Sequence, residues 1–356
     1  MMRRVDFSDW IDRARSRDIV EEARARGAQL KKGAGAWAWR GPCLSCGGTD
    51  RFSLNVVKQC FNCRGCGKGG DVIKLVMMAD NCTFMQACES LTGEPSPTGK
   101  KAKPLTEAEK AERIRQRVAA QARQRTRDAQ EAVYKADTKE AAQTIWGAST
   151  SLHDTLGAQY LNNRGIPTPT EGWPDCLRFH PALPYPGKSG RYPTLVGRVD
   201  DVYGQLTAIW RIYLRADGRK ADVPNAKLGL GPAGGGAVRI GGVRQRIAVA
   251  EGIETALGYW LLTGRRYPCW AALSTSGMTG IEIPLGVGQV VVVPDGDKPL
   301  RKKDGAYVEA IPAGRKAAQA LYVKLVERGI RCNVATEPGP GRDYLDLWRE
   351  HSREEA

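Results

Sequence analysis

The sequence predicts a multidomain α/β protein. A small cysteine-held ribbon comes first, then a charged helical linker, a small antiparallel β region and a C-terminal parallel α/β domain. Three observations predict this order. Five cysteines crowd into the 24 residues 43–66. Residues 100–139 are dense in charge and hold few large apolar side chains. Two short apolar runs, 247–250 and 290–293, each end in an acidic residue, Glu251 and Asp295.

The chain has 356 residues, room for two or three domains. Its net charge of +15 favours a polyanionic partner, and nucleic acid comes first. No run of about 18 apolar residues occurs, so no membrane span is expected. The start, MMRRVDFSDWIDRARSRD, lacks the apolar core of a secretory leader, so a cytoplasmic location is expected. In that compartment, closely spaced CxxC pairs point to a metal rather than to disulfides. The remaining cysteines, Cys82, Cys88, Cys176, Cys269 and Cys332, are scattered and suit buried apolar positions.

Each CxxC turns two thiolates toward one ion, and zinc takes four such ligands tetrahedrally. Cys43 and Cys46 form the first pair; the second is Cys60 with Cys63 or Cys63 with Cys66. The Gly-rich turn after Cys66 favours Cys63 and Cys66, and leaves Cys60 on a strand as a small apolar residue. The segment RFSLNVVKQ before the second pair alternates as a hairpin does. Beyond the cysteines, 72–93 reads as helix, turn, helix, broken at Asp80 and Asn81 and ended by Gly93.

These residues resemble the N-terminal zinc-binding domain of bacterial and phage DNA primases. In that family a CxxC or CxxH pair is followed by a two-stranded stretch, a second CxxC and a Gly-Gly-Asp turn into a helix. Cys63, Cys66, Gly69, Gly70 and Asp71 fall on the pattern, and Cys46 stands where many bacterial members have histidine. The resemblance implies one structural zinc and a reader of single-stranded template. Trp37, Trp39, Arg40, Arg51, Phe52, Lys58 and Lys68 are its candidate stacking and phosphate contacts.

Residues 1–95 thus form the first expected domain and 96–143 a linker with an exposed helix, whose arginines 113, 115, 117, 123, 125 and 127 suit a solvated face. Residues 144–245 follow as an α+β region. There, 191–221 alternates around Asp201-Val202-Tyr203-Gly204 and Ala216-Asp217-Gly218, an antiparallel meander of about three strands. YLNNRGIP and CLRFHPALPY read as loop-rich. ALPYPGKS (182–189) ends like a phosphate loop but lacks its first glycine and a strand-turn-helix frame, so no ATPase site is expected. The region resembles the segment that precedes the catalytic fold of primases. By that resemblance Arg198, Arg211 and Lys227 would hold nucleotide phosphates or template backbone.

From Arg246 the pattern is strand, helix, strand, helix, strand, which makes a parallel sheet with right-handed crossovers. In such sheets chemistry gathers beyond the C-terminal strand ends, where Glu251, Asp295 and Asp297 stand, with Asp343 and Asp346 after the next strand. Clustered carboxylates repel and need a cation, and hard oxygen ligands select magnesium or manganese. EGIETAL, PDGD, AGRKAA and GRDYLD resemble the Toprim fold, Rossmann-like, shared by primases, topoisomerases and some nucleases. The resemblance spans about 246–350. It implies Glu251 as metal ligand or general acid/base, Asp295 and Asp297 as metal ligands, and Asp343 and Asp346 as support for a second ion. Thr255 replaces an aspartate of the bacterial pattern, and 298–312 is an insertion.

The expected function is therefore that of a DNA primase of phage or mobile-element type. It would join ribonucleoside triphosphates on single-stranded DNA by two-metal nucleotidyl transfer and work beside a replicative helicase. A Toprim nuclease and a non-catalytic single-strand-binding factor are the alternatives.

Overall fold

The computed structural model describes residues 7–32, 39–97, 107–187, 189–296 and 311–354. Trp37, Asp297 and nearly all of the 298–312 insertion lie outside the described residues, as do the side chains of Arg113, Arg117, Arg123 and Arg127. The chain divides into two compact units, Met1–Val133 and Tyr134–Ala356. Among the described residues no helix is long and apolar enough to cross a membrane.

The first unit opens with helices α1 (Phe7–Arg15) and α2 (Ile19–Ala25). A five-stranded antiparallel sheet follows in chain order: β1 (Lys31–Lys32), β2 (Trp39–Cys43), β3 (Gly47–Asn55), β4 (Cys60–Cys63) and β5 (Gly69–Gly70). The expected hairpin is β3–β4, in register from Asn55 opposite Cys60 to Phe52 opposite Cys63. Helices α3 (Val72–Asp80) and α4 (Phe84–Thr92) complete the unit. Asp71 caps α3 by accepting from Lys74 N, and Asn81 ends it in the left-handed region at φ +49°. Thr83 and Gln86 form a capping box on α4. Trp10, Ile19, Phe52, Leu54, Leu75 and Cys88 share one core beneath the sheet.

The linker helix α5 (Glu107–Gly147) runs past the expected linker end at residue 143, and Arg115 and Arg125 are exposed on it. The second unit adds α6 (Leu156–Asn163) and an antiparallel sheet of four strands in chain order, β6 (Leu177–Pro184), β7 (Arg191–Asp200), β8 (Leu206–Tyr213) and β9 (Lys227–Leu230). The reading of 160–167 and 176–185 as loop-rich is corrected here: 160–163 belong to α6, and most of 176–185 is strand β6. Two prolines obscured it. Pro181 sits in the register shift between His180 and Leu183, and β6 is an edge strand, so no ladder donor is lost inside the sheet. The frame around 182–189 is strand to strand, as the rejected phosphate loop requires.

The C-terminal sheet consists of β10 (Val238–Ile240), β11 (Arg246–Ala250), β12 (Cys269–Ala271), β13 (Gln289–Val293) and β14 (Arg331–Val334), in the order β10-β12-β11-β13-β14. All pairs are parallel except β10 with β12. Helices α7 (Ile253–Leu262), α8 (Thr275–Gly280), α9 (Ala313–Glu327) and α10 (Tyr344–Glu354) cover it. Strand alternation divides the apolar runs between two cores. Ala248, Ala250, Val291 and Val293 join Leu195, Ile212, Ile253 and Tyr344 on one face. Ile247, Val249, Val290 and Val292 join Leu321 and Leu325 on the other. The first of these cores crosses the expected boundary near residue 245: the antiparallel and parallel sheets bury one apolar mass together.

Candidate functional site

In the first unit the sulfurs of Cys43, Cys46, Cys63 and Cys66 lie within 4.8 Å of one another. A tetrahedral zinc with bonds of about 2.3 Å spaces its sulfurs at about 3.8 Å, so four thiolates here fit one ion. The two knuckles share a design. The residue after each second cysteine, Gly47 and Gly67, has φ of +65° and +68°, which a side chain resists. Gly67 N donates to Cys63 O at 2.9 Å and Ser45 N to Cys43 Sγ at 3.4 Å. Burial pushes the Cys46 thiol up to about 12, and neighbouring thiols add to it. Cys63 is also raised by burial, but backbone N–H groups of Cys66 and Gly65 bring it below the ordinary value. Cys60 opens β4 opposite Asn55 and stands outside the cluster.

Around this site the expected nucleic-acid contacts divide. Phe52 is fully buried beside Phe61, with ring centroids 5.7 Å apart, so the expectation that it stacks on a base is corrected: it is core. Trp39 is half-buried with the Arg24 guanidinium over its ring at 4.4 Å. Arg40, Arg51, Lys58 and Lys68 are exposed. Arg51 lies across a second glycine in each knuckle: a Cβ on Gly48 or Gly65 would collide with its side chain. Lys68 Nζ donates to Ser45 Oγ at 3.0 Å.

In the second unit, Glu251 follows β11, Asp295 follows β13 and Asp343 precedes α10. All three line one cavity of about 350 Å³. Gly296 brings the last two together. Its N–H donates to Arg342 O at 2.9 Å, and its carbonyl accepts from Gly341 N. A Cβ on Gly296 would overlap the Gly339 carbonyl oxygen, so the glycine of PDGD serves close backbone approach as well as a turn. Asp343 Oδ1 accepts from Leu345 N and Asp346 N, at 2.9 and 3.0 Å. Asp346 Oδ2 accepts in return from Asp343 N at 3.2 Å. Asp346 is thus half of a capping pair and does not line the cavity.

The same cavity is lined by Arg164, Lys220 and Lys227. Lys227, expected here, reaches it from β9. Arg211, also expected, does not. On β8 it shares its face with Ile209 and Tyr213, which pack toward Trp146, while Trp210 and Ile212 point the other way. Arg211 is 7% exposed and donates to the carbonyls of Leu228 and Gly229. Burial lowers its pKa. Lys227 pairs with Ile212 and so faces the carboxylates. Arg198 lines a different cavity, of about 730 Å³, with Trp173, Arg239 and Trp260, and binds Asp200 Oδ1 at 2.6 Å. Thr255 is buried.

Four groups escaped sequence reasoning: Arg164, Lys220, Tyr160 and Glu254. Glu254 is 4% exposed. Its carboxylate accepts from Tyr160 OH at 2.8 Å and lies 2.8 Å from Lys227 Nζ and 3.4 Å from Lys220 Nζ. Burial alone would raise its pKa; Lys227, Lys220 and the Tyr160 hydroxyl outweigh that and hold it at about 2. Leu273, also on the cavity, has φ +72°, a strained value for so large a residue, and its N–H donates to Glu251 O at 2.6 Å. The one signal in the sequence was an acid inside an otherwise apolar helix, IETALGYWLL.

Comparison with known proteins follows the same division. Residues 8–103 match the CHC2 zinc finger family, and 246–354 match the Toprim domain. Residues 136–240 match a family described only as a domain of unknown function. DNA primases of Listeria monocytogenes and Listeria innocua are each 34% identical over 82 residues, 23% of this chain and 13% of theirs. The chain therefore matches only about an eighth of those relatives' length. Among solved structures, the Aquifex aeolicus primase (zinc binding and RNA polymerase domains) is 18% identical. It aligns over 98% of this chain and 83% of its own with a TM-score of 0.39. The primase fragment of the bacteriophage T7 primase-helicase is 14% identical over 91% of this chain and 97% of its own, TM-score 0.33.

Proposed function

We propose that this chain, which carries the CHC2 zinc ribbon and the Toprim domain of DnaG-type primases, is a DNA primase that makes short RNA primers on single-stranded DNA. The observation that carries the reading is one cavity lined by four carboxylates, Glu251, Glu254, Asp295 and Asp343, and three cations, in a chain that also bears the zinc ribbon. Carboxylates gathered on one cavity repel one another, and hard divalent cations are the partners that such oxygens select. Glu251, Asp295 and Asp343 are the assigned holders, together with Asp297 of the same motif. Magnesium or manganese bound there would acidify a 3′-hydroxyl and stabilise the leaving pyrophosphate.

The chain's own residues do the rest. Lys220, Lys227 and Arg164 hold the triphosphate of the incoming ribonucleotide. The 3′-oxygen forms a bond to the α-phosphorus, the α–β bridging P–O bond breaks, and pyrophosphate leaves. The hydroxyl proton passes to a cavity carboxylate, Glu251 in our assignment. Cys43, Cys46, Cys63 and Cys66 hold one structural zinc. Exposed Arg51, Lys58 and Lys68, with Trp39, offer the template its phosphate and stacking contacts. We assign the chain to phage or mobile-element replication, alongside a replicative helicase.

The test is primer synthesis on mixed-sequence single-stranded DNA with labelled ribonucleotides and magnesium, using Asp295→Ala and Asp297→Ala as controls. Short RNA products that vanish in both variants are expected. Shortening of the template by the unaltered protein, without RNA products, would establish a nuclease instead. Synthesis that survives Asp295→Ala would remove the assigned site.

A further inference from the structure

Glu254 carries one more inference. It stands three residues after Glu251 but is turned away from solvent, at 4% exposure. A buried carboxylate costs several kcal/mol unless it is paired and hydrogen-bonded. One lysine and one hydroxyl would meet that need. The structure instead brings three groups from three places: Tyr160 from α6, Lys220 from the turn after β8, and Lys227 from β9. Two ammonium groups share one carboxylate, so the cluster keeps a net positive charge. Lys220 and Lys227 repel each other, and Arg164 repels Lys220 as well. Pairing Glu254 needs only one of these cations, so the second is not explained by burying that carboxylate. Both lysines are about a third exposed, and both line the cavity of Glu251, Asp295 and Asp343.

We infer that Glu254 is a positioning residue: it clamps Lys220 and Lys227 as a fixed cation pair that receives the polyphosphate of a nucleotide. The inference rests on the function proposed above and adds to it the residue that builds the phosphate wall. Glu254 reaches the cavity wall itself, but it is 4% exposed and its carboxylate is held by Tyr160, Lys220 and Lys227, so its role is to position them. It acts by fixing where two ammonium groups stand before the nucleotide arrives, which lowers the cost of ordering flexible side chains on binding. The fourth element of the tie is α7, whose N-terminus follows directly on Glu251. The cation pair is thereby referenced to the same backbone that positions the catalytic acid.

Two measurements on the full chain test this. In the first, lysine acetylation is followed by mass spectrometry. Glu254→Gln should raise the reactivity of Lys220 and Lys227 several-fold and leave other lysines unchanged. Unchanged reactivity of both would overturn the inference, whether or not the protein makes primers. In the second, Lys220→Met keeps one cation for Glu254, so the fold should hold and the melting temperature should not fall. Its KM for ATP in primer synthesis should rise about tenfold, with kcat within threefold, and ATP affinity with magnesium should fall by the same factor. A lower melting temperature with unchanged KM and affinity would make Lys220 a structural prop and overturn the inference. Failure of the Asp295→Ala control, by contrast, strikes the primase assignment and leaves the acetylation result standing on its own.

Discussion

The cysteine site and the carboxylate site are built by opposite means. All four sulfurs come from 24 consecutive residues and two knuckles of the same design. The carboxylate cavity draws on residues from Arg164 to Asp343, on strands or strand ends of two sheets and at the ends of three helices. In the first, spacing along the chain is geometry in space, because a CxxC turn fixes where its thiols point. In the second, spacing means little, and strand parity decides. Arg211 and Lys227 were equally plausible phosphate ligands, yet neighbouring strands turn one toward Trp146 and the other toward the acids.

If the first site is local and metal-built, removing one ligand should break it alone. Cys63→Ser should release zinc and about 10 kcal/mol of folding free energy from the first unit. Limited proteolysis should then cut residues 7–97 while 134–354 stay protected. Equal resistance in both units would refute the ligand assignment.

If the second site depends on distant loops meeting, a small change at the meeting point should matter out of proportion to its size. Gly296→Ala forces the Asp295 loop off the Gly339 carbonyl. Primer synthesis should fall by about 10²-fold, the usual consequence of displacing a reacting group by about 1 Å. Zinc content and single-strand affinity should be unaffected; unchanged synthesis would mean that the Asp295–Asp343 juxtaposition is not needed.

The smallest effect concerns pH. Glu254 is held at about 2 in the folded chain, below the ordinary glutamate value of about 4.3. A depressed carboxylate stabilises the fold above its unfolded value and loses that contribution as pH falls toward 2. The stability gap between the unaltered protein and Glu254→Gln should therefore shrink by about 3 kcal/mol between pH 6 and pH 2. Denaturant titrations of the second unit's tryptophans would measure it. A constant gap would show that the ion cluster does not govern the site's electrostatics.

Much of this was legible in advance because it is written locally. The Gly-rich turn after Cys66, the Gly-Gly-Asp71 turn into α3, the break at Asn81 and the valine run of β13 act over a few residues, and each stands where expected. What escaped was either short or masked by local chemistry. β12 has three residues, too few to show a period, and β6 hid behind two prolines. Phe52 stood among the stacking candidates that the resemblance implied, but alternation along β3 turned it inward.

By itself the sequence determined the metal knot, the alternation of strands with helices toward the C-terminus, and the placing of Glu251 and Asp295 at strand ends. Those features follow from turn chemistry and from apolar periodicity, which neighbouring residues settle between themselves. Only the tertiary structure decided which cations meet those acids, and that a buried Glu254 would gather two of them. A buried charge finds its partners wherever packing brings them, and packing joined α6, β9 and α7 across about 90 residues of chain.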